Sequence, residues 1–313
     1  MITTLTLNPC IDKTLLVEDF SIEKTNRAEV LRVDLGGKGI NVSRALTALG
    51  AKTLCTGFDF SAGEGSFLRR SLAQLGLEER FLTVPGELRM CTKIFDPKSN
   101  TMVEVNERGC SVERKHQEQL LRLLADLAPN SQFLVLSGSL PRGMSGDFYA
   151  EVMRAVAQVA PTCRVVVDAV GESLTAALTH RPFLIKPNEE EFAATFGTST
   201  ERFAISEKCE ELIAAGAAEN ICVSLGRRGA IFACGEGAYF CPSASVPVRS
   251  LQAAGDSMVA GICLAFSLGL GAAHALAYGT AAAAGTVSRP GTEVVTRADF
   301  DAILKDVQVM KIR

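Results

Sequence analysis

The sequence predicts an α/β fold: a doubly wound, mostly parallel sheet with helices on both faces and a small inserted β-sheet lid. Three observations carry this. Over residues 113–240, short apolar runs of strand length alternate with segments of helical period, the pattern of a parallel sheet covered by helices. Unusual residues gather where those strands end, in NPCID, SGSLP, KPNEEE, SLGRRG and AAGD, and ligands of such sheets sit at the strands' carboxyl ends. Two stretches, 13–35 and 89–106, have β character but are too polar for a central sheet. With 313 residues the chain can bury a full core, so it is read as one domain, 1–313, with the lid formed by about 13–35 and 89–106.

Residues 2–7 alternate Thr with Ile and Leu, a first strand ending in the turn NPCID. LGGKGINVSRALTALG is a Gly-rich turn feeding a helix that stops at Gly50. A strand is expected over 52–58, a helix over 65–75, and two hairpin-like strands over 89–95 and 101–106, joined by DPKSN. Helices follow over 113–127, 148–159, 172–178 and 207–215, with another opened by KPNEEE. Strands are expected over 133–136, 164–168, 183–186 and 221–225, then shorter ones over 230–233 and 238–240. Residues 253–270 read as a helix apolar on nearly all faces, hence buried.

A formal charge of −3 argues against a protein that coats nucleic acid. Ten cysteines are scattered without a CxxC pair and read as small buried hydrophobes in a reducing cytoplasm. MITTLTLNP enters a strand pattern at once, without the charged start and apolar core of a signal peptide. Residues 257–288 lack Asp, Glu, Lys and Arg, which invites a membrane reading. Gly269, Gly271 and His274 break the run, and its second half is mostly Ala, Gly and Thr, so two packed core helices joined by GLG fit better.

The chemistry centres on AAGD. Ala253, Ala254 and Gly255 keep bulk away from a turn whose free N–H groups and helix dipole favour an anion. Asp256 is then either an N-cap or a base beside a reacting phosphoryl group. GGKGINVS puts Lys38 and Asn41 at a helix start but lacks the GxxxxGK[ST] spacing. Asp12 is placed to accept hydrogen bonds from sugar hydroxyls, or simply to cap a turn. Arg27, Lys38, Arg89 and Lys93 are ordinary surface cations singly and a phosphate site as a set. Asn188 with Glu191 reads as a capping box or as an indirect hold on magnesium. The three histidines are isolated, and no Ser/His/Asp or metal-ligand spacing supports a hydrolase or zinc reading.

The ordered set TLNPCID, GGKGINVSRAL, SGSLPRG, KPNEEE, SLGRRG and AAGDSMVAG, spread over nearly the whole chain, resembles the PfkB (ribokinase-like) carbohydrate kinases. TLNPCIDKT, Asn26–Arg27 and LRMCTKI look like its 1-phosphofructokinase and tagatose-6-phosphate kinase branch. The resemblance implies ATP and Mg2+ as cofactors and a cytoplasmic homodimer paired through the β lid, with no nucleic-acid or membrane partner. It makes Asp256 the catalytic base and Ala253, Ala254 and Gly255 the anion hole. It assigns Asp12, Arg27, Gly37, Lys38, Asn41, Arg89, Lys93 and Ser137 to the sugar phosphate. Lys186, Asn188, Ser224, Gly226 and Gly229 fall on the nucleotide side, with Glu191 holding magnesium through water. It also admits a monovalent cation near Ser250 and residues 288–292.

The implied reaction is ATP-dependent phosphorylation of a ketohexose phosphate, first D-fructose 1-phosphate to fructose 1,6-bisphosphate. Tagatose-6-phosphate kinase is the second reading and a sugar-phosphate-binding sensor without turnover the third. One departure stands out: the family's motif usually reads GAGD, and here Ala253 replaces its first glycine. If that position needs a positive φ, Ala strains the loop by about 1 kcal/mol or more.

Overall fold

The computed structural model describes residues 1–60 and 66–313. The chain opens with β1 (Ile2–Thr6), every residue of it buried, then leaves the main sheet for β2 (Cys10–Leu16) and β3 (Glu29–Gly36). It returns through α1 (Lys38–Ala48) to the fully buried β4 (Thr53–Phe60). α2 (Phe67–Gln74), capped by the Ser66 hydroxyl on the Arg69 N–H, leads to β5 (Glu79–Val84). β6 (Arg89–Asp96) and β7 (Thr101–Asn106) rejoin β2 and β3.

From there strands and helices alternate: α3 (Arg114–Leu127), β8 (Phe133–Ser137), α4 (Phe148–Val159), β9 (Arg164–Asp168), α5 (Glu172–Leu178) and β10 (Leu184–Ile185). Two helices, α6 (Glu189–Phe196) and α7 (Arg202–Ala214), precede β11 (Asn220–Ser224) and the hairpin β12 (Ala230–Cys234) and β13 (Gly237–Cys241). The chain closes with α8 (Ala254–Ser267), α9 (Ala272–Val287), α10 (Arg297–Leu304) and β14 (Met310–Lys311).

Among the described residues the main sheet has ten strands in the order β14-β13-β12-β11-β10-β9-β8-β1-β4-β5, parallel from β11 through β5 and antiparallel beyond. One face buries α3 to α7 through Leu120, Phe148, Leu174, Phe192 and Ile205; the other buries α1 and α8 to α10 through Leu46, Val259, Leu276 and Phe300. This is the doubly wound α/β class the sequence predicts. The second, small sheet runs β3-β2-β6-β7. The uncharged run 257–288 is the packed pair α8 and α9, which touch closely: a Cβ on Gly261 would lie 2.4 Å from the Tyr278 carbonyl oxygen. No helix among the described residues is long and apolar enough to cross a membrane.

The strand order reverses between β1 and β8. From β1 the chain winds outward to β4 and β5, then returns to β8 and winds the other way. A crevice must open above the carboxyl ends of these two strands, because their connections leave on opposite sides.

Several expectations are corrected. NPCID is not a free turn: Cys10, Ile11 and Asp12 already belong to β2. β5, α10 and β14 were absent from the sequence reading, and α7 starts before residue 207. β5 is an edge strand only partly buried, and β14 is two exposed residues, so neither carries the apolar run of a central strand. The helix expected from residue 65 begins at Phe67; Gly65 itself lies outside the described residues.

Candidate active site

Asp256 is not the N-cap of α8. The N-cap is Ala253, in the left-handed region at φ 57 and ψ 5, and no side chain among the described residues caps the helix. Its first N–H groups are therefore free for an anion, as a helix start leaves them. Asp256, in the first turn, is buried and accepts a hydrogen bond from Asn41 Nδ2 at 2.9 Å. Burial pushes its carboxyl up to about 6, Asp168 adds to the rise, and Lys38, Asn41 and Lys186 pull it back only in part. A carboxylate so poised takes a proton readily near neutral pH, which suits a general base.

Position 253 does require a positive φ, so Ala253 carries the strain that the usual glycine avoids. Ala253→Gly should raise the unfolding free energy by about 1 kcal/mol, read from urea midpoints at constant m. A neutral or negative change would show that the turn is not strained.

Asp168, at the end of β9, ties the site together. Its Oδ2 accepts from Lys38 Nζ at 3.3 Å and from the Ser137 hydroxyl at 3.1 Å, and its Oδ1 lies 3.4 Å from Lys186 Nζ. Burial raises its pKa, but Lys186 and Lys38 outweigh that and hold the carboxyl below its ordinary value. Asp168 in turn keeps Lys38 firmly protonated against burial. A Cβ on Gly255 would stand 3.3 Å from Lys186 Nζ, so the absent side chain lets this ammonium lie against the first turn of α8. Two cations thus flank the free N–H groups. The sequence reading missed Asp168; the signal was a lone acid closing a strand on the ligand-binding edge.

Two cavities meet at this turn. The first, about 470 Å³, opens at the β1/β8 crevice and is lined by Asp12, Gly37, Lys38, Asn41, Arg89, Lys93, Ser137 and Ala253, with Glu191 at its rim side. Within it Asp12 Oδ1 and Lys93 Nζ form a buried pair at 3.1 Å. Arg89 spends Nε on the Asn8 carbonyl and Nη1 on the Glu107 carbonyl, each at 3.1 Å. Those bonds aim the guanidinium and leave Nη2 for a ligand. Gly37 begins α1 at φ 146, where a Cβ would meet Thr6 Cγ2 at 2.7 Å, so the turn needs glycine twice over. Arg27 is the exception: it is exposed in the coil between β2 and β3 and does not line the cleft.

The second cavity, about 550 Å³, is lined by Asn188, Ser224, Gly226, Gly229, Ala254 and Gly255 over an apolar wall of Val246, Val248, Leu251 and Met258. Asn188 and Glu191 make the full capping box: Asn188 Oδ1 accepts from the Glu191 N–H at 2.8 Å, and Glu191 Oε2 accepts from the Asn188 N–H at 2.9 Å. Their structural role is therefore real, and it fixes the Glu191 carboxylate at the first cavity while Asn188 lines the second. Lys186 lines neither cavity and reaches the site only through Asp168 and the α8 turn.

A buried acid of raised pKa, free helix N–H groups and two flanking cations lie together between two cavities, the parts that transfer of an anionic group requires. The chain belongs to the pfkB family of carbohydrate kinases, whose pattern matches residues 5–298. It is thus a phosphotransferase with an alcohol group as acceptor. It is 32% identical over 310 residues to the 1-phosphofructokinase of Rhodobacter capsulatus, covering 98% of this chain and 97% of that one. It is 30% identical over 270 residues to the tagatose-6-phosphate kinase of Staphylococcus epidermidis, covering 84% of each. Among solved structures, phosphofructokinase-2 of Escherichia coli in complex with potassium superposes with a TM-score of 0.91 at 26% identity, over 97% of this chain and 98% of that one.

Proposed function

We propose that the protein transfers the γ-phosphoryl group of ATP to a ketohexose phosphate, first D-fructose 1-phosphate to give fructose 1,6-bisphosphate, with tagatose 6-phosphate as the alternative acceptor. The observation that carries this is the placement of the 253–255 turn between a cavity bearing Lys38, Arg89 and Lys93 and one that is largely apolar. The cations of the first cavity, above all Arg89 with its free Nη2, suit a phosphorylated sugar, and the apolar cavity suits an adenine ring.

Asp12 and Asn41 hold sugar hydroxyls, and the Asp256 carboxylate takes the proton of the attacking hydroxyl as it reaches the phosphoryl group. The N–H groups of Ala253, Ala254 and Gly255 hold the phosphoryl oxygens, where charge gathers, beside Lys38 and Lys186. Ser137 orients Asp168, and through it both lysines. Asn188, Ser224, Gly226 and Gly229 line the nucleotide side. The residues fit magnesium: Glu191 presents a hard carboxylate oxygen at a capped helix start and would hold the ion through water. When bound, the ion neutralises charge on the phosphate oxygens. A monovalent cation near Ser250 and residues 288–292 fits one further observation, the buried Thr292 hydroxyl, which has no partner among the described residues.

The small sheet serves as a lid and, in this reading, as the homodimer contact. Its outer strands, at opposite edges of the sheet, expose Val30, Leu31 and Val33 on β3 and Met102, Val103 and Val105 on β7, apolar side chains that a second copy would cover. Pairing there is also what would bring Arg27 to a site. The ten free thiols agree with a reducing, cytoplasmic setting.

Arg89→Ala tests the acceptor. Loss of a charged hydrogen bond to the sugar's phosphate should raise its KM about tenfold or more with little change in kcat. An unchanged KM would remove Arg89 from the phosphate site.

A further inference from the structure

No spacing in the sequence suggests a metal site, yet folding assembles one set of ligands. Cys10 and Asp12 on β2 and Cys91 on β6 bring two sulfurs and a carboxylate oxygen within 4.8 Å of one another, the single such group of three among the described residues. All three are buried, and all three line the sugar-side cavity. We propose that Cys10, Asp12 and Cys91 bind a thiophilic divalent cation, with Zn2+ as the type, and that its occupancy inhibits the enzyme by taking Asp12 away from the sugar. The inhibitory half rests on the role given to Asp12 above; the binding half rests on geometry alone.

The register explains why an ion fits better than a disulfide. Asp12 stands opposite Cys91, whereas Cys10 stands opposite Arg89, so the two cysteines are diagonal across a parallel pair. Two residues along a strand and one strand across place their Cα atoms about 8 Å apart, beyond the roughly 7 Å a disulfide spans. An ion about 2.3 Å from each sulfur and about 2.0 Å from the oxygen bridges the same gap without moving the strands. The donors also converge: a Cβ on Gly36 would lie 2.5 Å from both Cys10 Sγ and Asp12 Oδ2, so the glycine keeps the space between them clear.

Asp12 Oδ1 is held by Lys93, which leaves Oδ2 for the metal. On binding, two thiol protons pass to solvent, two sulfur–metal bonds and one oxygen–metal bond form, and the fourth position faces the cleft. With two protons released for one divalent ion the site gains no net charge beside Lys93 and Arg89, but three ligands with an open fourth position hold the ion less firmly than a closed four-ligand set, so it is exchangeable.

The test is a titration of metal-free full-length protein with Zn2+ against a chromophoric chelator, and with Co2+ by absorption. The expected result is one equivalent bound, with thiolate-to-cobalt charge transfer in the near ultraviolet. Cys91→Ser should weaken Zn2+ binding by at least the roughly 10–100-fold that loss of even an outer partner costs, while Cys110→Ser leaves it unchanged. The wild-type cobalt spectrum decides the matter even if Cys91→Ser folds poorly. Absence of binding, or a cobalt spectrum without thiolate bands, overturns the proposal. In turnover assays Zn2+ should raise the KM for the sugar phosphate and leave kcat alone; a fall in kcat at constant KM overturns the inhibitory half. Activity is measured separately with a Zn2+-selective chelator and Mg2+ in excess, so failure of the kinase reading and failure of the metal site are distinguishable.

Discussion

Asp256→Asn is expected to lower kcat by about 10²–10⁴-fold, to leave the sugar-phosphate KM within a few-fold, and to raise the melting temperature. The stability gain is the discriminating part. The folded carboxyl titrates at about 6 against an ordinary value of 3.8, because burial and Asp168 disfavour its charge. Between those two values the native state binds more protons than the unfolded chain, so stability falls as pH rises through that window. Above it the cost is complete, on the order of 2–3 kcal/mol. Asparagine is neutral and keeps an acceptor for Asn41 Nδ2, so it removes this cost while removing the base. A structural aspartate would behave oppositely, losing stability on substitution. The same titration predicts that wild-type kcat/KM falls about tenfold per pH unit below a pH of about 6, since the protonated acid cannot accept the hydroxyl proton. A flat profile from pH 5 to 8 would sink the assignment of the base.

Asp168→Ala acts in the opposite direction on stability, lowering it by about 3–5 kcal/mol. The side chain is 3% exposed and lies within 3.4 Å of Lys186 Nζ, itself 5% exposed, so alanine leaves a buried ammonium without its counter-charge. Lys38, at 42% exposed, is rehydrated more cheaply and adds little to the loss. Loss of this like charge also relieves Asp256, so the pH profile of any residual activity should move to lower pH. Urea denaturation reads the first effect and a pH–rate series the second. A loss below about 1 kcal/mol would mean that Lys186 finds other partners.

The two substitutions separate what the sequence makes legible from what it does not. Strand and helix periodicity placed α4, β9 and α5 to the residue, because each is bounded by sharp breaks such as Pro161 and Gly171. Edge strands β5 and β14 were invisible, since a strand paired on one side needs no apolar run. The AAGD turn was legible as a helix start, but N-cap and base readings of Asp256 stayed open. What removes the N-cap reading is the left-handed Ala253, which holds the N-cap position itself, while Asn41, 215 positions away, donates to the buried carboxylate. Asp168 has no motif of its own; its meaning comes from two lysines that reach it from α1 and from the end of β10. Cys10 and Cys91 read as buried hydrophobes until the parallel pairing of β2 with β6 set them around Asp12.

The most direct measurement of the central claim is kcat/KM with Mg-ATP for fructose 1-phosphate, tagatose 6-phosphate, fructose 6-phosphate and fructose, compared side by side. The site predicts a clear preference for one sugar phosphate, fructose 1-phosphate first, with free fructose the poorest substrate because Arg89, whose Nη2 is unspent, then has no anion to hold. Equal or better turnover of free fructose would contradict the phosphate site. No turnover of any of the four, with sugar-phosphate binding intact by calorimetry, would mean that the strained Ala253 turn no longer supports transfer.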